Sequence, residues 1–135
     1  MAIPYLACMA LVAHLYGLPP RVLPSIQVVE GGRPGTVRVD TNGTADLGVM
    51  QINTSWLPAF AAYTHLPPDV IRDRLTNSPC FNIAAAGAIM RTYLDETGGN
   101  LMRAIGDYHS HTAPLAEAYQ SEVLRAASLL FGNAR

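Results

Sequence analysis

The sequence predicts a mainly α domain of α+β type, with about seven helices and one small β-hairpin. Three observations carry this. Gly, Pro and Asn residues punctuate the chain into seven stretches that read as helices. One further stretch, Asn42 to Asn53, opens instead on an Asn-Gly turn signal. The length of 135 residues, half of them hydrophobic and 14% charged, suits one compact domain spanning 1–135. Such a chain buries roughly two thirds of its unfolded surface.

In chain order, Pro4 stands at a first helical position, Gly17 lies just past the end, and Pro19-Pro20 follows, which outlines a core helix. The next helix runs from Val22 to Glu30. Its Pro24 is tolerated in the first turn, where a missing N–H costs little, and Gly31-Gly32 ends it. Asn42-Gly43 then turns the chain so that Thr44 to Leu47 returns as a short strand, and Gly48 lets the backbone pass close to a neighbour. Trp56 to Tyr63 is a short helical piece. Pro67-Pro68-Asp69 begins another that stops at Asn77-Ser78-Pro79. Phe81 to Glu96 is the central helix by length, and its small residues allow close helix approach; Gly98-Gly99 stops it. Asn100 caps the helix through Tyr108. Thr112 and Pro114 open a last helix to Phe131, with an apolar stripe of Leu115, Tyr119, Val123, Leu124 and Leu130.

Chemistry gathers around Glu30. The apolar residues at 22, 23, 26 and 29 follow helical spacing, so Glu30, four after Ile26, falls on the buried stripe. A carboxyl held against apolar neighbours resists ionisation, and its pKa rises toward neutrality, as a general acid requires. On the far side of the hairpin Asp46 presents a second carboxylate. Gln51 and Asn53, two residues apart, place amides on one face of an extended segment. Amides beside carboxylates suit a sugar ligand.

Glu30-Gly31-Gly32, then Gly48-Val49-Met50-Gln51-Ile52, then Ala104-Ile105-Gly106-Asp107-Tyr108 resembles the three-part signature of the lytic transglycosylases, lysozyme-like enzymes that cut peptidoglycan. Asn42-Gly43-Thr44, Asp46 and the run Gly48 to Asn53, followed by Trp56, is similar both to c-type lysozymes and to the small transglycosylases of type III and type IV secretion and conjugation systems. The resemblance covers nearly the whole chain. It implies a lysozyme-like fold with the hairpin beside an active-site cleft, Glu30 as general acid and base, and Asp46 in the place of the second lysozyme carboxylate. It also implies sugar contacts from Gln51, Asn53, Met50, Tyr108 and His109, with the Tyr108 hydroxyl beside the glutamate. Two positions depart from the pattern. Gly31 stands where many transglycosylases carry a hydroxyl residue that holds the glutamate, and His109 stands where Asn is usual.

The resemblance implies a periplasmic lytic transglycosylase that cleaves between N-acetylmuramic acid and N-acetylglucosamine and leaves 1,6-anhydro ends. It works without cofactor or metal, as a monomer, with peptidoglycan strands and secretion or conjugation components as partners. Two alternatives stay open: a muramidase that hydrolyses the same bond through Glu30 and Asp46, and a non-catalytic wall-binding assembly component. If Asp46 faces Glu30 across the cleft, a gap of about 5 to 5.5 Å suits a covalent intermediate and roughly 6.5 to 9.5 Å leaves room for water. Asp46 is expected to be the more solvated and to stay ionised.

The remaining features exclude other classes. A formal net charge of −1 with no basic run argues against nucleic-acid binding. Cys8 and Cys80 lie far apart without a CxxC or a neighbouring ligand set, so a disulfide is a better reading than a metal site or two free thiols, and the secretion-associated subgroup is similar in carrying a cysteine pair. His109 and His111 with Asp107 read poorly as a metal cluster, because the two imidazoles point apart. Trp56, the sole tryptophan, serves either as a stacking platform or as core. The apolar first twenty residues are too short to span a bilayer and no positive charge precedes them, so an export signal is expected to be missing from this sequence.

Overall fold

A computed structural model describes residues 3–132. It contains seven α-helices and a three-stranded antiparallel sheet in the order β1-β2-β3. The helices are α1 Leu6–Tyr16, α2 Val22–Glu30, α3 Leu57–Thr64, α4 Pro68–Asn77, α5 Pro79–Glu96, α6 Leu101–His109 and α7 Ala113–Phe131. The strands are β1 Val37–Val39, β2 Ala45–Leu47 and β3 Ile52–Asn53, and a 3-10 turn, Thr54–Trp56, links the last to α3. The architecture is thus the mainly α, lysozyme-like one that the sequence predicts. No described helix is long and apolar enough to cross a membrane.

Local chemistry accounts for most boundaries. Gly17 ends α1 in the left-handed region, and its N–H reaches back to Ala13 and His14. Asn100 Oδ1 accepts from Arg103 N at 3.1 Å and caps α6. At the start of the chain the expectation shifts: Pro4 lies in a turn, Tyr5 takes a left-handed conformation, and α1 begins only at Leu6. Nor is α1 a core helix all round. Met9, Val12 and Ala13 are buried while Leu6, Leu11 and Leu15 face solvent.

The apolar core is contiguous and is built around α5, with Ile83, Ala86 and Met90 fully buried. Gly87 sits where a Cβ would strike Val12 and Tyr16, so α1 rests directly on the α5 backbone. Gly106 serves α6 against α7 in the same way, since an added Cβ would lie 3.0 Å from the Ala116 Cβ. That close approach rotates α7 from the expected stripe. Its buried face is Ala116, Tyr119, Val123 and Ala126, while Leu115 and Leu124 are exposed. Cys8 and Cys80 form a disulfide, Cα–Cα 5.5 Å, that ties α1 to the first turn of α5.

The sheet is fastened at its base by one buried side chain. Asn82 of α5 accepts from Met50 N at 2.8 Å and donates to Leu47 O at 2.8 Å and Leu75 O at 2.7 Å. Gly48, at φ 68°, makes this possible, because a Cβ there would collide with the Leu75 carbonyl and the Asn82 amide. Gly32 is packed equally tightly against the Gly48 carbonyl. The chain therefore leaves the helical body after α2 and rejoins it at Gly48 within van der Waals distance of its departure.

Candidate active site

Between the sheet and helices α5 and α6 lies a cleft of about 370 Å³, and Glu30, Asp46, Gln51, Asn53, Tyr108 and His109 all line it. Glu30 is the last residue of α2, where the left-handed Gly31 turns the chain away. The carboxyl is pushed up to about 7, by burial first; Asp46 and Glu122 add to the rise, while the Tyr119 hydroxyl and Arg38 oppose it. The Tyr119 O–H donates to Glu30 Oε2 at 2.6 Å, a short charge-assisted bond when the carboxyl is ionised. No side chain at Gly31 helps to hold the acid. The hydroxyl comes from α7 instead.

Tyr108 lines the cleft close to Glu30, as the resemblance implied. Its hydroxyl donates to Met50 O at 2.9 Å rather than to Glu30, and its ring stacks on Tyr119, with centroids 6.4 Å apart. His109 is exposed and lies flat on the other part of the same array, 4.9 Å from the Tyr119 centroid at 9°. Burial raises the hydroxyl pKa of both tyrosines, and the nearby Glu30 adds to it. Tyr119 therefore stays a neutral donor at any pH at which Glu30 titrates.

The sheet register lays Arg38, Asp46 and Asn53 side by side across β1, β2 and β3. Asn53 Nδ2 donates to Asp46 Oδ1 at 2.9 Å and also approaches Asp40 Oδ2 at 3.2 Å and Thr44 Oγ1 at 2.9 Å. Asp46 is half-buried, and its carboxyl is raised above the usual aspartate range, by burial first and then by Asp40; the Asn53 amide and Arg38 pull the other way. Asp46 is the less buried of the two carboxyls, as expected, but its proton affinity is raised above that of an ordinary aspartate. Asp40, which sequence reasoning missed, shares its amide and resists its ionisation.

Gln51 also differs from expectation. It stands not in an extended segment but at φ 55°, at the end of the turn that Gly48 begins. Its Nε2 donates to Gly48 O at 2.9 Å, while Oε1 is buried without a partner, the one such side-chain atom among the described residues. An unpaired buried acceptor on a cleft wall is suited to a ligand donor. Met50, expected at the cleft floor, is fully buried and stays out of the lining; its backbone, held by Asn82 and Tyr108, is what serves the site. Trp56 lines the cleft and also packs on Phe60 and Tyr93, so it is platform and core wall together. At the far end His111 leaves His109 and turns to Tyr93, Glu96 and Asp107.

A helical body with a small sheet facing an acidic, amide-lined cleft belongs to the lysozyme-like class. More narrowly, the chain belongs to the Transglycosylase SLT domain family, whose model matches residues 8–129. Membership supports lytic transglycosylase activity on peptidoglycan in general. A search of curated proteins finds no significant match.

Proposed function

We propose that the protein is a peptidoglycan lytic transglycosylase in which Glu30 is the general acid and then the general base. The observation that carries this is the carboxyl at about 7, held by Tyr119 on the wall of a sugar-sized cleft. A group with that proton affinity is partly protonated at neutral pH and can both give and take a proton. Glu30 gives its proton to the glycosidic oxygen as the bond from C1 of N-acetylmuramic acid breaks. The N-acetylglucosamine leaves with a free 4-hydroxyl. The Glu30 carboxylate then takes the proton of the 6-hydroxyl of the muramic acid, whose oxygen closes on C1 as the 1,6-anhydro ring. The acid is restored and no water is consumed.

The hairpin wall assists. Asp46, in its ionised form, faces the positive charge that develops at C1 and the ring oxygen. Gln51 Oε1 takes a hydrogen bond from an amide or hydroxyl donor of the sugar, and Asn53 holds Asp46 in place. The Cys8–Cys80 disulfide favours an oxidising compartment, and we place the enzyme in the periplasm. The resemblance to secretion-associated transglycosylases further suggests local opening of the wall for such an apparatus. Digestion of purified peptidoglycan with mass analysis of the fragments tests the reading. Anhydro ends support it, reducing ends would indicate hydrolysis through Glu30 and Asp46, and no cleavage would leave a wall-binding component.

A further inference from the structure

The sheet carries a further carboxyl that the cleavage steps leave unused. Asp40 follows β1 directly, and its backbone closes the hairpin turn: its N–H donates to Thr44 O at 2.8 Å and its carbonyl accepts from Gly43 N at 3.2 Å. In the strand register Arg38 lies opposite Asp46 and Val39 opposite Ala45. Asp40 is therefore the diagonal neighbour of Asp46 on the same face of the sheet. Both line the cleft and both are half-buried.

Hydrogens are scarce at this point. The Asn53 amide offers a pair of them and the Thr44 hydroxyl a single one. Four oxygens compete for these three: Asp46 Oδ1 at 2.9 Å, Thr44 Oγ1 at 2.9 Å and Asp40 Oδ2 at 3.2 Å from the amide nitrogen, and Asn42 Oδ1 at 2.6 Å from the hydroxyl. Asp40 Oδ2 also lies 3.3 Å from the Thr44 hydroxyl, so each of its donors has a shorter partner elsewhere. Asp40 is the oxygen left short.

Two carboxylates in one place also repel. The other charged or titratable groups that face Asp46 are Arg38 on β1, Glu30 on α2 and the Tyr108 hydroxyl on α6. Arg38 is exposed, where solvent screens its charge. Glu30 adds repulsion when ionised, and Tyr108 spends its proton on Met50 O. Asp40 and Asp46 are in direct side-chain contact. A proton on Asp46 removes the repulsion and gives Asp40 the hydrogen it lacks.

We propose that Asp40 is a positioning residue that shares one proton with Asp46 and so fixes the pH below which the cleft loses its second working charge. With the proton in place Asp46 is neutral and donates to Asp40. When the proton leaves to water both carboxylates are charged, and Asp46 can face the positive charge that develops at C1. The proposal rests on the transglycosylase reading and adds an acid limit to it. Glu30 supplies the alkaline limit, since it must hold its proton to begin the cleavage.

The pH profile of kcat/KM on glycan strands tests it. Asp40→Asn keeps the shape and replaces the like charge with an amide donor, so the acid limb should move down by about one pH unit. The alkaline limb should stay in place, because the proton affinity of Glu30 is set by burial, Tyr119, Asp46, Arg38 and Glu122. A fall in rate at every pH with the acid limb unmoved, as a merely structural role would give, or a limb that moves up would overturn the proposal. Strands left uncleaved by the wild type would count against the enzymatic reading instead, and carbon-13 titration of the Asp46 carboxyl still decides the pair without substrate. Its signal should move in two steps in the wild type and in one, at lower pH, in Asp40→Asn. The two steps should persist in Glu30→Gln, which removes the other carboxyl as their source. A single step there refutes the shared proton, whether or not Asp40→Asn folds.

Discussion

Glu30→Gln reads the site through stability and catalysis at once. Folding places this carboxyl where its neutral form is favoured, raising it from the ordinary 4.5 to about 7. The folded state therefore holds the proton more tightly than the unfolded chain does. The stability linked to that proton is fully present below the unfolded value and is lost as pH rises through about 7. At about 1.4 kcal/mol per tenfold in proton affinity, the loss amounts to about 3 kcal/mol once the pH is well above 7. Glutamine has the same shape, can accept the Tyr119 hydroxyl and does not titrate. Urea unfolding of wild type and variant at about pH 4 and about pH 8.5 should then show the variant gaining about 3 kcal/mol on the wild type between the two conditions. Cleavage should fall by a factor on the order of a hundred or more. A stability difference that is the same at both pH values would refute the burial argument, and near-normal activity would refute the acid role.

Tyr119→Phe removes a donor that favours ionised Glu30, so the alkaline limb of kcat/KM should move up by roughly one pH unit; a limb that moves down contradicts the assignment. Asp46→Asn should slow cleavage strongly, though less than Glu30→Gln, and should lower the Glu30 pKa by removing a neighbouring charge, which carbon-13 titration of Glu30 would follow. Asn82→Ala leaves Met50 N, Leu47 O and Leu75 O without their partner, and a loss of about 3 kcal/mol or more in chemical unfolding is expected, with less than about 1 arguing for easy repair. Reduction of Cys8–Cys80 frees a loop of 72 residues and should lower the Tm, by up to about 4 kcal/mol in stability, without changing the cleavage products; altered products would tie the disulfide to the chemistry.

What the sequence made legible is what local backbone chemistry decides. Gly17 and Gly31 stop helices, Asn100 caps one, Asn42-Gly43 turns the hairpin, and Gly48 marks a close approach; each acts within a few residues of itself. Glu30 was legible for the same reason, through its helical offset from Ile26. Tyr119 was not. It read as one more apolar residue of a stripe, and its bond to Glu30 spans 89 positions. Asn82 carried a usable signal, a polar amide between Phe81 and Ile83 on the central helix, but its three partners lie on other elements. Gln51 was misread because the turn begun by Gly48 reverses the backbone before β3, which alternation along a strand does not anticipate. Asp40 lies outside β1 and meets Asp46 both directly and through the shared amide of Asn53 on the third strand.

The anchoring of the sheet through Asn82 and the Gly32–Gly48 contact makes the hairpin a cantilever. Its root is clamped on α5, while β1 is an edge strand and the tip at Asn42-Gly43 stands in solvent. Motion should therefore grow from root to tip: amide exchange slow at Leu47 and Met50, fast at Val39 and Gly43. Asp40 and Asn42 move with the tip, whereas Glu30 and Gln51 sit at the fixed end. On the proposed reading the mouth of the cleft can then widen to admit a glycan strand sideways, while the spacing around Glu30 stays constant.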